Sequence, residues 1–246
     1  MRILPVLDLK GGQVVRGVAG RRKEYRPIVS RIVSSAEPLA VARAFREQFG
    51  LRELYVADLD AIAGGPPDQA TLVELLDDGF QLWVDAGVGP SGNTLKALAV
   101  MGVGAPIAGL ESLQGPEELL FVLERLPRGS VVFSLDMTDG KPVARAGWTG
   151  ADPWLIARQA VRLGVRRILV LDLAAVGVGQ GVSTTGLCTR LREAFPYLQI
   201  ITGGGVRGPE DLRLLKGIGV NAVLVASALH DGRLSRQEID EICRPV

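Results

Sequence analysis

Apolar and polar positions follow one rhythm along the chain. A short, nearly continuous run rich in Val, Ile and Leu is followed by a longer amphipathic stretch, eight times over. The short runs are Ile3–Leu9, Glu53–Asp58, Gln81–Asp85, Ala105–Ala108, Ser130–Asp136, Arg167–Asp172, Gln199–Thr202 and Ala222–Ala226. Being apolar throughout rather than alternating, they read as strands covered on both faces, as in a parallel sheet. The intervening pattern predicts helices over Pro38–Phe49, Gln69–Asp78, Thr94–Met101, Pro116–Leu126, Pro153–Leu163, Thr185–Phe195, Pro209–Gly217 and Arg236–Cys243. Asp152-Pro153 supplies a capping carboxylate followed by a proline at the first helical position, and Glu210 and Asp211 favour a helix start after Gly208-Pro209. Glycines 102, 164 and 219 fall just past helices, where a left-handed residue is wanted.

Eight strand–helix units in 246 residues give a single (β/α)8 TIM barrel over 1–246. The competitor, a doubly wound open sheet, opens its first helix with a glycine fingerprint. Here Lys10-Gly11-Gly12 leads instead into a second strand-like run, Gln13–Ala19. An internal echo divides the barrel into two similar halves. Val56-Ala57-Asp58-Leu59-Asp60-Ala61 resembles Val170-Leu171-Asp172-Leu173-Ala174-Ala175, and Ala86-Gly87-Val88 resembles Gly204-Gly205-Val206, each match lying four units apart.

Composition narrows the classes. With 47% hydrophobic and 22% charged residues and a net charge of +1, nothing recruits nucleic acid or an anionic membrane. No apolar run approaches the roughly 20 residues of a membrane span, and Met1–Pro5 is no signal peptide. Cys188 and Cys243, far apart and without metal spacing, fit a reducing cytoplasm. With His230 as the one imidazole, a His-rich zinc site is excluded and a Ser-His-Asp triad would have to use it. Nothing in the sequence sets an oligomeric state.

In such barrels chemistry sits at the carboxyl ends of the strands. Those ends read Asp8, Asp58, Asp85, Glu111 (in the fourth loop), Asp136, Asp172, Thr202 and Ser227. An Asp there caps its own loop or faces a ligand, and the echo favours a shared structural role for Asp58 and Asp172. Asp8 and Asp136 end units one and five, opposite each other in an eight-stranded ring. Two facing carboxyls divide into a base and an acid once their surroundings separate their pKa values. Gly203-Gly204-Gly205 and Ala226-Ser227, after strands seven and eight, are suited to a phosphate cradle. The matching first-half loops carry Asp85 and Glu111, which repel a second phosphate. The expected ligand is therefore a small metabolite with one anionic group, its other end neutral, cationic or metal-bound. The basic, glycine-punctuated stretch Arg16–Arg26, including Arg16 and Gly20, is either solvated surface or a lid over the substrate. Trp148 either stacks on a ligand ring or covers the rim, and His230 is either a helix-start residue or a proton carrier.

Together Leu7-Asp8-Leu9, Gly12 to Arg16, Asp58-Leu59, Leu135-Asp136, Gly147-Trp148, Asp172, Gly203-Gly204-Gly205 and Ala226-Ser227-Ala228 resemble the histidine-biosynthesis barrel family, the phosphoribosylformimino-aminoimidazole carboxamide ribotide isomerases and their sister cyclases. The resemblance implies an Amadori rearrangement without a cofactor, in which an acid opens the ribose ring to a Schiff base and a base removes the C2 proton. It places the base on Asp8, the acid on Asp136, and phosphate binding on Gly204, Gly205 and Ser227. The chain departs from the isomerases at Leu171, where they carry Thr, at Val176-Gly177-Val178, in place of Asp-Gly-Thr, and at Ala86-Gly87-Val88, in place of three glycines. The cyclases carry Lys where Arg16 stands and need an ammonia-supplying partner. Tyr25-Arg26-Pro27-Ile28, Leu110-Glu111-Ser112 and Ala228-Leu229-His230 look more like an isomerase-related offshoot of methanogens and methylotrophs associated with one-carbon cofactor (methanopterin or methanofuran) metabolism. The sequence thus points to an isomerase-like enzyme acting on a phosphorylated aminosugar. Its alternatives are a divergent member taking a monophosphorylated precursor, with a divalent metal on Asp85 or Glu111, and a non-catalytic phosphate-ligand binder.

Overall fold

The computed structural model describes residues 1–144, 147, 148, 150 and 152–244. Of the predicted 1–246 domain, Arg145, Ala146, Thr149, Ala151, Pro245 and Val246 lie outside the described residues. Eight parallel strands close into a barrel: β1 (Arg2–Lys10), β2 (Glu53–Asp58), β3 (Gln81–Asp85), β4 (Ala105–Gly109), β5 (Val132–Thr138), β6 (Arg167–Asp172), β7 (Gln199–Gly203) and β8 (Ala222–Val225). Closure comes from β1, which pairs with β2 from Val6 opposite Tyr55 to Leu9 opposite Asp58, and with β8 from Arg2 opposite Ala222 to Pro5 opposite Val225. Among the described residues eight long helices alternate with the strands, besides single turns at Leu59–Ile62 and Ser227–His230: α1 (Pro38–Phe49), α2 (Gln69–Asp77), α3 (Asn93–Met101), α4 (Pro116–Arg125), α5 (Pro153–Leu163), α6 (Thr185–Ala194), α7 (Pro209–Ile218) and α8 (Arg236–Cys243). None is long and apolar enough to cross a membrane.

The alternating faces of the strands feed two cores. Leu4, Tyr55, Trp83, Ile107, Leu169, Ile201 and Leu224 point inward and fill the barrel, while Arg2 and Arg167 lie 4.9 and 4.2 Å from the Trp83 ring. Outside it, one apolar stripe per helix is buried against the strands: Phe45, Leu72, Leu98, Val122, Ile156, Leu191, Leu212 and Ile239 belong to the same buried cluster as Leu7, Val84, Leu135 and Ile168. Burying such a side chain contributes about 1.5–3 kcal/mol, so the outer core is the main stabilising element.

Local chemistry sets the boundaries. The Asp152 carboxylate accepts from Trp154 N–H at 2.9 Å, and Gly102, Gly164 and Gly219 end their helices at positive φ. The strand predicted from Ser130 starts at Val132, because the Ser130 amide and hydroxyl both close a turn onto the Pro127 carbonyl. At its other end β5 runs past Asp136 to Thr138 because Lys141–Pro142 folds back on it. The run after Gly12 is a strand only over Gln13–Arg16; it returns antiparallel along β1, with Val15 opposite Asp8, and then breaks at Gly17.

Candidate active site

Alternation along β1 turns Leu7 and Leu9 to the outer core and Asp8 to the barrel mouth; along β5 it turns Leu135 and Met137 out and Asp136 in. The two carboxyls line one cavity of about 100 Å³ from strands four places apart around the ring, hence from opposite sides. Asp136 is 4% exposed. Its Oδ1 accepts the Ser134 hydroxyl at 2.6 Å, while Oδ2 is buried without a hydrogen-bond partner among the described residues. Burial, together with the charges of Glu111 and Asp85, pushes its pKa well above the carboxylate range. Burial also raises Asp8, to about 7, with the Arg22 guanidinium holding it back. At neutral pH one carboxyl keeps its proton while the other is free to take one, an arrangement suited to proton transfer in both directions.

Two tyrosines complete the centre. Tyr55 rises from the barrel interior beneath Asp8, Asp85 and Asp136, and burial plus those charges hold its hydroxyl protonated far above its usual range. Tyr25 is pushed up to about 12, by burial first and then by the Asp8 charge.

The roof is the loop after the first hairpin. Ala19 N–H donates to the Val176 carbonyl at 2.8 Å, Lys10 Nζ donates to the Arg22 carbonyl at 2.7 Å, and Arg22 forms an ion pair with Glu111. A side chain on Gly17 would meet Val176 Cγ1 at 2.8 Å and Asp8 Oδ2 at 3.1 Å. Loop one therefore lies across Asp8 and clasps loops four and six. At one end of the cavity Gly204 (φ 80°), Gly205 (φ 83°), Gly177, Gly179, Ala226 and Ser227 form a wall almost free of side chains. Arg16 and Arg233, both paired with Asp231, stand beside it. His230, 1% exposed, packs on Phe45 and bonds Ser30 Oγ through Nδ1 at 2.9 Å; burial lowers its pKa to about 4, so the ring is neutral. At the other end lie Asp85 and Glu111. Among the described residues no group of three or more His, Cys, Asp or Glu side chains is arranged to hold a metal ion.

The structure thus brings Asp8, Arg16, Gly20, Asp85, Glu111, Asp136, Gly204, Gly205, Ala226 and Ser227 to one cavity. Asp58, Asp172 and Trp148 are not part of its lining. Asp58 accepts Ala61 N–H at 3.0 Å and Asp68 N–H at 2.7 Å. Its echo, Asp172, accepts from the Ala174, Asp139 and Gly140 amides at 3.1, 3.1 and 2.9 Å. Each carboxylate ties two loop segments together in its own half-barrel. Replacing either by Ala strands several amides, and we expect a loss of about 1–3 kcal/mol in urea unfolding; an unchanged midpoint would refute the tie. Trp148 packs 5.4 Å from Phe133 in the outer core. Sequence reasoning missed Tyr55, did not single out Arg22 within the basic stretch, and used Tyr25 only as a mark of resemblance. Tyr55 was accessible, since it stands two residues before the inward-facing Ala57 on one strand.

The structure defines the class as a closed (β/α)8 barrel with two opposed carboxyls facing one cavity at its mouth. The chain belongs to the histidine biosynthesis protein family, which it matches over residues 2–235. It is 32% identical over 247 residues to an uncharacterized protein of Methanocaldococcus jannaschii, covering 97% of each chain. It is also 32% identical over 248 residues to the 1-(5-phosphoribosyl)-5-(5-phosphoribosylamino)methylideneamino imidazole-4-carboxamide isomerase of Desulfitobacterium hafniense, covering 97% of this chain and 94% of that one. An isomerase of the same name from Thermus thermophilus is 30% identical over 244 residues, covering 97% and 98%.

Proposed function

We propose that the protein is an isomerase that converts a phosphorylated aminosugar from aldose to ketose form by acid–base catalysis, as the names of its relatives suggest. Protonated Asp136 donates to the ring oxygen of the sugar, opening it to a Schiff base. Ionised Asp8 then removes the C2 proton, and the resulting enolamine becomes the aminoketose. The phosphate lies against Gly204, Gly205, Ala226 and Ser227, where little but backbone lines the wall and Arg16 and Arg233 stand near. The single observation that carries this reading is the unequal pair: Asp8 at about 7, Asp136 well above, facing one cavity.

The test is NMR of phosphorylated N-glycosylamines incubated with the protein in heavy water. Aldose-to-ketose conversion with solvent exchange at C2 is expected. Because the base must be ionised, kcat/KM should climb about tenfold per pH unit below 7 and level off above it, until Asp136 itself loses its proton. Conversion that persists in an Asp136→Asn variant would remove the acid from the scheme. Rescue of a histidine auxotroph lacking the isomerase would assign the histidine-pathway substrate.

A further inference from the structure

The two ends of the cavity are not equivalent. On the β7 side the turn after the strand lines the cavity through Gly204 and Gly205. Its counterpart after β3 is Ala86-Gly87-Val88. There Ala86 and Val88 are buried in the outer core, and a side chain on Gly87 would touch the Ala61 carbonyl oxygen at 3.5 Å. The Gly87 amide donates to Asp85 Oδ1 at 3.0 Å. The chain's own carboxyl thus takes the backbone donor that a phosphate would need. Asp85 Oδ2 and Asp136 Oδ2 converge over Gly109: a methyl group placed on that glycine would lie 3.3 Å from each and 3.6 Å from Ser112 Oγ. Of these atoms Asp136 Oδ2 is buried without a partner among the described residues. Glu111 adds a further negative charge, with Arg22 paired to it. That oxygen, which carries the Asp136 proton, lacks an acceptor among the described residues, and the Asp85 carboxylate beside it is free to take a donor. A buried polar atom left unbonded costs free energy, so the place calls for a polar group of the ligand.

From this we infer that Asp85 is a specificity-determining residue, and that the cavity takes a ligand with one phosphate and, at its far end, a nitrogen that donates a hydrogen bond to Asp85. This rests on the phosphate placement at Gly204 and Gly205 proposed above, and it distinguishes the chain from relatives named for a compound with two phosphoribosyl groups.

Calorimetry at pH 8, in the Asp8→Asn background so that no ligand turns over, tests it with three matched probes: ribulose 5-phosphate, its 1-amino-1-deoxy derivative and ribulose 1,5-bisphosphate. The amino compound should bind about tenfold tighter than ribulose 5-phosphate and the bisphosphate about tenfold weaker. Adding Asp85→Gly should reverse the order of amine and second phosphate. Adding Asp85→Asn, which keeps an acceptor for Gly87 should the glycine variant fail to fold, should flatten it. Bisphosphate binding as tight as ribulose 5-phosphate, or an order indifferent to Asp85, overturns the inference and leaves the phosphate end standing. If none of the probes binds and inorganic phosphate does not bind either, both fall together.

Discussion

Asp8→Asn is expected to cut turnover by about 10²- to 10⁴-fold and, at the same time, to make the protein harder to unfold above neutral pH. Both effects come from one carboxyl, half-buried in the cavity wall. In the folded chain it titrates at about 7, against 3.8 when free. Between those values the folded state keeps a proton that the unfolded state has released. Stability therefore falls as pH rises through that window, and the loss is complete above 7. Asn has nothing to ionise. The displacement sets a ceiling of about 4 kcal/mol, and the half-buried position of the side chain on the cavity reduces the expected gain to about 2 kcal/mol. Thermal unfolding of both proteins at pH 4 and pH 8 reads this directly: the variant should gain at pH 8 and match the parent at pH 4. An equal gain at both would mean that the penalty has another source, and retained turnover would remove Asp8 from catalysis.

A second large effect is expected from a single methyl group. Gly177 has φ 73°, and a Cβ built on it lies 1.9 Å from the Gly17 carbonyl oxygen. Gly177→Ala cannot coexist with the present clasp between loops one and six. Loop one touches the inner core only at the barrel mouth, through Tyr25 and Val18, so relief comes from lifting loop one rather than from unfolding the barrel. With Arg22, Tyr25 and Gly17 displaced from around Asp8, kcat/KM should fall by about 10²-fold, the usual penalty for misplacing catalytic geometry by an ångström. Hydrogen exchange at the Ala19 amide, which donates to the Val176 carbonyl, should speed up while core amides stay protected. Ala19 protection equal to that of the parent would show that the loop does not depend on this glycine.

The strands and helices were legible because each buries a continuous run or stripe, and that pattern survives any detail of packing. Glu53–Asp58, Gln81–Asp85, Arg167–Asp172, Pro38–Phe49 and Pro153–Leu163 match the predicted limits. The errors at Ser130 and after Asp136 arose where a side chain or a hairpin partner, rather than periodicity, set the boundary. The position of Asp8 opposite Asp136 followed from counting units in a ring. Asp58 and Asp172 show the limit: an aspartate at a strand end looks the same in sequence whether it faces a ligand or ties down amides. Only the N–H groups of Asp68, further along the same loop, and of Gly140, from the loop after β5, reveal which. Arg22 and Tyr25 stayed hidden for a different reason. They lie in a loop without periodicity, and their partners Glu111 and Asp8 come near only when the roof is folded.

The pairing of β1 with both β2 and β8 sets an order of events during synthesis. Of the eight barrel strands the one that bears Asp8 is made first, yet the Arg2–Pro5 half of its second edge finds no neighbour until residue 225 has been made, the returning Gln13–Val15 covering only Asp8–Lys10. Until then the nascent chain exposes an open apolar ribbon, able to join other copies edge to edge. The last strand therefore both seals the barrel and shields the first from aggregation, so chains stopped short of it should be insoluble rather than merely inactive.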